Sequence, residues 1–93
     1  MKVINRCKYE LRNFVNPEKP GQVLQFIEKR DGTTVNDGTT NAELVRVLLA
    51  RMDDLPSSTE VEEARKHFEV GLAHLQARTA RRTARELARK HFD

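Results

Sequence analysis

Five arginines near the end of the chain, Arg78, Arg81, Arg82, Arg85 and Arg89, are the residues whose type and spacing most directly suggest chemistry. At about 100° of rotation per residue they fall within roughly 100° of arc, so a helix that carries them presents an arginine ladder on one side. A guanidinium is a planar fork able to donate two parallel hydrogen bonds to a phosphate. Like charges one turn apart destabilise a helix by roughly 0.2–0.5 kcal/mol per pair. Acidic relief is sparse, because only Glu86 and Asp93 follow Glu69. A bound polyanion reverses that penalty. The plain alternative is a solvated helix face, since charged runs usually are one, and the sequence leaves both open.

The ladder has to be positioned by the helix that bears it. From Ser57 to Phe92 there is no proline and a single glycine, Gly71. Charged, Ala and Leu positions recur there with helical spacing. The expectation is one long helix over 57–92, roughly 50 Å in length, which is too long for a chain of this size to cover by itself. Val61, Ala64, Phe68, Gly71, Leu72 and Leu75 make an apolar stripe on its first half. Beyond Ala77 a weaker stripe of Ala80, Ala84, Leu87 and Ala88 begins on a different side. The first stripe is expected to pack within the subunit and the second against another copy. If three such helices met around an axis, arginines from each would form a ring suited to a small cyclic phosphate.

Upstream, Val3 to Val15 alternates in part, with Cys7, Tyr9 and Leu11 on one side, and predicts a half-exposed strand. Asn16 to Gly21 contains Pro17 and Pro20 and predicts a loop. Gln22 to Arg30 reads as a second strand. Asp31-Gly32 is a hairpin signal, because both positions tolerate positive φ, and Thr33 to Val35 is the returning strand. The fold class expected is α+β: an N-terminal three-stranded antiparallel sheet over 1–36, then an antiparallel helical hairpin. Its first helix spans 40–54, with Thr40 and Glu43 at capping-box spacing, and is apolar over much of its circumference. It should lie between the sheet and the long helix. Ser57, Ser58 and Thr59 are the cap candidates for the long helix, Thr59 having Glu62 in capping-box register.

Ninety-three residues suggest a single domain, 1–93, with too little chain for a large core, so a homo-oligomer is expected. The single Cys7 excludes an internal disulfide and suits a reducing compartment. It reads as a small apolar strand residue. No apolar run is long enough to span a membrane and the first residues do not resemble a signal peptide, so a soluble, unexported protein is expected. Residues 1–77 hold eleven Lys or Arg against twelve Asp or Glu, while residues 78–93 hold six against two. A general nucleic-acid binder spreads its basic residues over a broad surface, whereas this excess is confined to the ladder. That favours a small anionic ligand over long nucleic acid.

Nothing in the sequence has the form of a Gly-rich phosphate loop, a metal cluster or a Ser, His and Asp arrangement, so neither catalysis nor a cofactor is expected. His67, His74 and His91 all fall on the long helix. His67 and His74 are in line, but seven residues is about 10 Å of rise, too far for one metal ion. They read as residues bordering the packed face. A small DNA- or RNA-binding regulator using the ladder on a phosphate backbone is the alternative of a different class, and a purely structural assembly subunit is a third.

Four segments, Tyr9 to Phe14 (YELRNF), Lys19 to Lys29 (KPGQVLQFIEK), Asp37 to Val47 (DGTTNAELVRV) and Leu72 to Thr79 (LAHLQART), resemble a family of small phage proteins. The family includes Thoeris anti-defence protein one and anti-CBASS protein two. The resemblance implies a nucleotide sponge in the cytoplasm of an infected bacterium. Such a protein binds glycocyclic ADP-ribose or cyclic di- and trinucleotide immune signals without cleaving them, and is a hexamer built as a dimer of trimers or a smaller oligomer. It implies that Arg78, Thr79 and Arg82 contact the phosphates; the ladder's spacing adds Arg81 and Arg85 as ligand-binding candidates. Thr59-Glu60-Val61 stands where the family carries Arg-Glu-Asn, and valine lacks the hydrogen-bonding groups that asparagine brings to a separate ADP-ribose pocket. His74 stands in place of a bulky aromatic, and Thr83 to Asp93 replaces a Gly-containing tail.

Overall fold

The computed structural model describes residues 1–92 and is α+β, a three-stranded antiparallel sheet followed by two helices. The chain divides into two compact units, Met1–Thr40 and Asn41–Asp93.

In the first unit β1 (Lys2–Asn5), β2 (Lys8–Glu10) and β3 (Val23–Gln25) lie in the order β1-β2-β3, antiparallel throughout. Tyr9 stands opposite Val3 on one side and Leu24 on the other. The strand expected over Val3 to Val15 is therefore two short strands. The chain reverses between them because the Asn5 side-chain carbonyl accepts a hydrogen bond from the Cys7 amide at 2.8 Å, an Asx turn that competes with extended pairing. The Tyr9 hydroxyl donates to the Arg6 carbonyl at 3.0 Å and braces the same turn. After Glu10 the chain leaves the sheet earlier than its alternation suggested. Asn13 holds the ensuing loop by donating from Nδ2 to the carbonyls of Lys19 and Pro20 at 3.4 and 3.3 Å.

The second expected strand, Gln22 to Arg30, also breaks. Phe26 still follows β2, its amide bonding the Cys7 carbonyl at 2.7 Å, and its ring meets Tyr9 edge-on with centroids 5.8 Å apart. At Ile27 the pairing changes partner. The Ile27 amide donates to Thr39 and the Thr39 amide to Gln25, each at 2.9 Å, which makes a parallel bridge between Phe26 and Thr39. A Cβ on Gly38 would lie 2.5 Å from the Gln25 carbonyl oxygen, so only glycine allows this approach. Beyond the bridge, β4 (Glu28–Arg30) and β5 (Thr33–Asn36) form a separate two-stranded sheet. Their turn is the expected Asp31-Gly32, with φ of 52° and 78°. The third strand of the three-stranded sheet is thus β3, and the returning strand after Gly32 belongs to this second hairpin.

In the second unit α1 spans Asn41–Asp53 and α2 spans Thr59–Phe92. Thr40 stands at the N-cap position of α1. The cap of α2 is Ser58 rather than Thr59: its Oγ accepts from the Val61 amide at 3.1 Å and its carbonyl from the Glu62 amide at 3.0 Å. Leu44, Val45, Leu49 and Met52 of α1 are half-buried, as are Val61, Ala64, Phe68, Leu72 and Leu75 of α2. Arg65 ties the helices together, with Nη1 donating to the Leu49 carbonyl at 3.5 Å and pairing with Asp53, and Nε meeting Glu69 at 3.2 Å. Among the described residues no side chain is fully buried, and Phe14 is fully exposed.

Candidate anion-binding site

The ladder sits on the second half of α2, past the last half-buried position, Leu75. Helical rotation places Arg78, Arg82, Arg85 and Arg89 in one row, with Arg81 at its edge. From Arg78 to Arg89 the row rises about 16 Å. All five arginines are exposed.

Their electrostatic setting differs from that of the ion-paired cations of the chain. Arg30 meets Glu28, Arg46 meets Glu43, Lys66 meets Glu63, and Arg65 meets both Asp53 and Glu69. Among the described residues none of these ion pairs involves a ladder arginine. The reason is in the sequence, because Glu86 is the sole carboxylate from Val70 to Phe92. Five ladder pairs fall three or four residues apart, Arg78 with Arg81 and Arg82, Arg85 with Arg81, Arg82 and Arg89. Together they destabilise the bare helix by roughly 1–2.5 kcal/mol at low salt, less as screening increases.

Thr79 is placed differently. It is turned about 100° from Arg78, toward the side of Leu72 and Leu75. Its Oγ1 donates to the Leu75 carbonyl at 3.1 Å, so its proton is engaged within the helix and its free lone pairs can only accept. A phosphate oxygen needs a donor, and reaching one from Thr79 requires that bond to break. The structure thus groups Arg78, Arg82 and Arg85, keeps Arg81 adjacent, and leaves Thr79 off the row.

The weaker apolar stripe is longer than the one legible beyond Ala77. Val70, Ala73 and Ala77 share its side of the helix with Ala80, Ala84 and Leu87, roughly 160° from the centre of the half-buried stripe. Val70 is 58% exposed and Leu87 55%. Sequence reading also missed Arg65 as the link between the helices. Its only signal was an i,i+4 partner in Glu69.

His67 and His74 are exposed; the side chain of His91 lies outside the described residues. Among the described residues no three His, Cys, Asp or Glu side chains are grouped to hold a metal ion. Cys7 is half-buried with a free thiol. No described helix is long and apolar enough to cross a membrane. No family model matches the sequence, and neither a curated protein nor a solved structure matches it.

Proposed function

We propose that this chain is a non-enzymatic binder of a compact, multiply charged phosphate ligand, held by Arg78, Arg82 and Arg85 with Arg81 beside them. The observation that carries the reading is a row of four exposed arginines, with a fifth at its edge, without carboxylate partners among the described residues, on a chain whose ion-paired cations sit elsewhere. Guanidinium forks aligned on successive turns recognise several phosphates at once. In one copy the row lies open along a single helix, so enclosing a ligand takes arginines from further copies. The reading therefore includes a homo-oligomer, a dimer of trimers or a smaller form, with the exposed Val70, Ala77, Ala84 and Leu87 side of α2 at a subunit contact. Within each copy α1 and α2 are taken as an antiparallel hairpin, which the Arg65 contacts to Leu49 and Asp53 support.

The ligand class we assign is a cyclic di- or trinucleotide or glycocyclic ADP-ribose, sequestered without cleavage in the cytoplasm of a phage-infected bacterium as an anti-defence device. This assignment rests on the four segments that resemble the phage sponge proteins. Val61, which lacks the hydrogen-bonding groups of an asparagine, favours the arginine row over a separate ADP-ribose pocket. The test is the mass of the small molecule released on denaturing protein purified from bacteria that carry such signalling systems. A cyclic or ADP-ribose-derived nucleotide supports the proposal, and protein that is free of nucleotide in cells making the signal refutes it.

A second reading follows from the exposure of the row, which rises about 16 Å along one helix and so also suits a nucleic-acid backbone. That reading predicts affinity for long duplexes whose logarithm falls linearly with log salt concentration. A sponge prefers the small cyclic ligand and ignores duplex.

A further inference from the structure

From Gln76 to Arg89 every residue of α2 is exposed, and Thr79 spends its side-chain hydrogen bond on its own helix. This stretch has to remain helical with little help from α1. The packed first half of α2 supplies the helical nucleus, so this stretch needs only propagation, which is close to neutral per residue in water. Ala77, Ala80, Ala84, Leu87 and Ala88 favour the helix, but Thr79 and Thr83 are β-branched and lose side-chain freedom in it. The Thr79 bond back to Leu75 weakens it further. Five arginine pairs at i,i+3 or i,i+4 add repulsion that Glu86 alone offsets.

We infer that anion binding at the ladder and helix formation from Ala77 onward are one coupled equilibrium. The inference rests on reading the ladder as an anion site. In a disordered segment the five guanidinium groups diverge, and only the helix sets Arg78, Arg82, Arg85 and Arg89 in a row. A polyanion that touches several of them therefore binds the helical state preferentially and draws the population toward it. Its apparent affinity falls in proportion to the helical fraction already present. A single phosphate, which reaches one or two arginines, shifts the equilibrium much less than a chain of phosphates does.

The experiment uses the full chain and two readouts in one buffer, ellipticity at 222 nm and titration calorimetry. Inorganic phosphate and tripolyphosphate are the probes, with ionic strength held constant by sodium chloride. The segment from Ala77 to Phe92 is nearly half of the 34 residues of α2, and α1 adds 13 more helical residues. Ordering it raises the ellipticity by up to about half, with tripolyphosphate far more effective than phosphate. The double variant Arg82→Gln, Arg85→Gln starts more helical than the parent and gains nothing from tripolyphosphate. Binding heat without a change in ellipticity overturns the coupling and leaves the anion site standing. Absence of both heat and ellipticity change overturns the two together. A gain that follows protein concentration rather than anion concentration also overturns the coupling, since self-association then orders the helix.

Discussion

Replacing Arg65 tests how the second unit is held together. The Arg65 side chain is 30% exposed and reaches three acceptors, the Leu49 carbonyl and the carboxylates of Asp53 and Glu69. Asp53 and Glu69 are themselves 62% and 53% exposed, so solvent screens both pairs. Each contributes about 0.3–1 kcal/mol at that exposure. The bond to Leu49 is long at 3.5 Å and belongs at the lower end of about 0.5–1.5 kcal/mol. Arg65→Ala is therefore expected to cost roughly 1–2 kcal/mol. In a domain of this size 1 kcal/mol moves the midpoint by about 4–8 °C, so Tm falls by about 5–15 °C. Arg65→Lys keeps the charge without the fork and loses about half as much, because one ammonium cannot span acceptors on both helices. High salt shrinks the carboxylate share of the difference. The assay is thermal denaturation followed at 222 nm. An Arg65→Ala midpoint within about a degree of the parent would refute the account of how α1 and α2 are joined.

Gly38→Ala sets a methyl against the Gln25 carbonyl and should destabilise the first unit by about 1–3 kcal/mol; amide exchange at Ile27 and Thr39 that stays as slow as in the parent would contradict this. Ser58→Ala removes the α2 cap and should cost about 0.5–2 kcal/mol, whereas Thr59→Ala should cost less; equal effects in denaturant titrations would show that Ser58 is not the cap. Arg82→Ala should abolish trinucleotide binding while the oligomer keeps its sedimentation coefficient, and unchanged affinity would remove Arg82 from the site.

Local signals in the sequence were enough for the features that local chemistry decides. Asp31-Gly32 makes its turn because both residues accept positive φ, and the two helices begin and end within two residues of the expected bounds. Distant partners decide the rest. The run from Gln22 to Arg30 has the look of one strand, since apolar spacing cannot reveal that Thr39 takes over the pairing at Ile27. Asn5 breaks the first strand through a side-chain bond that alternation does not register. The arginine row was legible because it needs only helical rotation. The engagement of Thr79 with Leu75 was hidden, because residue type says nothing about which acceptor a hydroxyl finds. Choosing among Ser57, Ser58 and Thr59 as the cap likewise depended on where the helix starts, a matter of one residue.

The central claim is that ladder arginines from associated copies hold a small polyphosphate nucleotide, and calorimetry on the full chain at oligomer-forming concentration tests it most directly. With a panel of cyclic di- and trinucleotides and glycocyclic ADP-ribose, the account predicts saturable heat with at least one ligand, in fewer sites than chains. Flat titrations across the whole panel would contradict it.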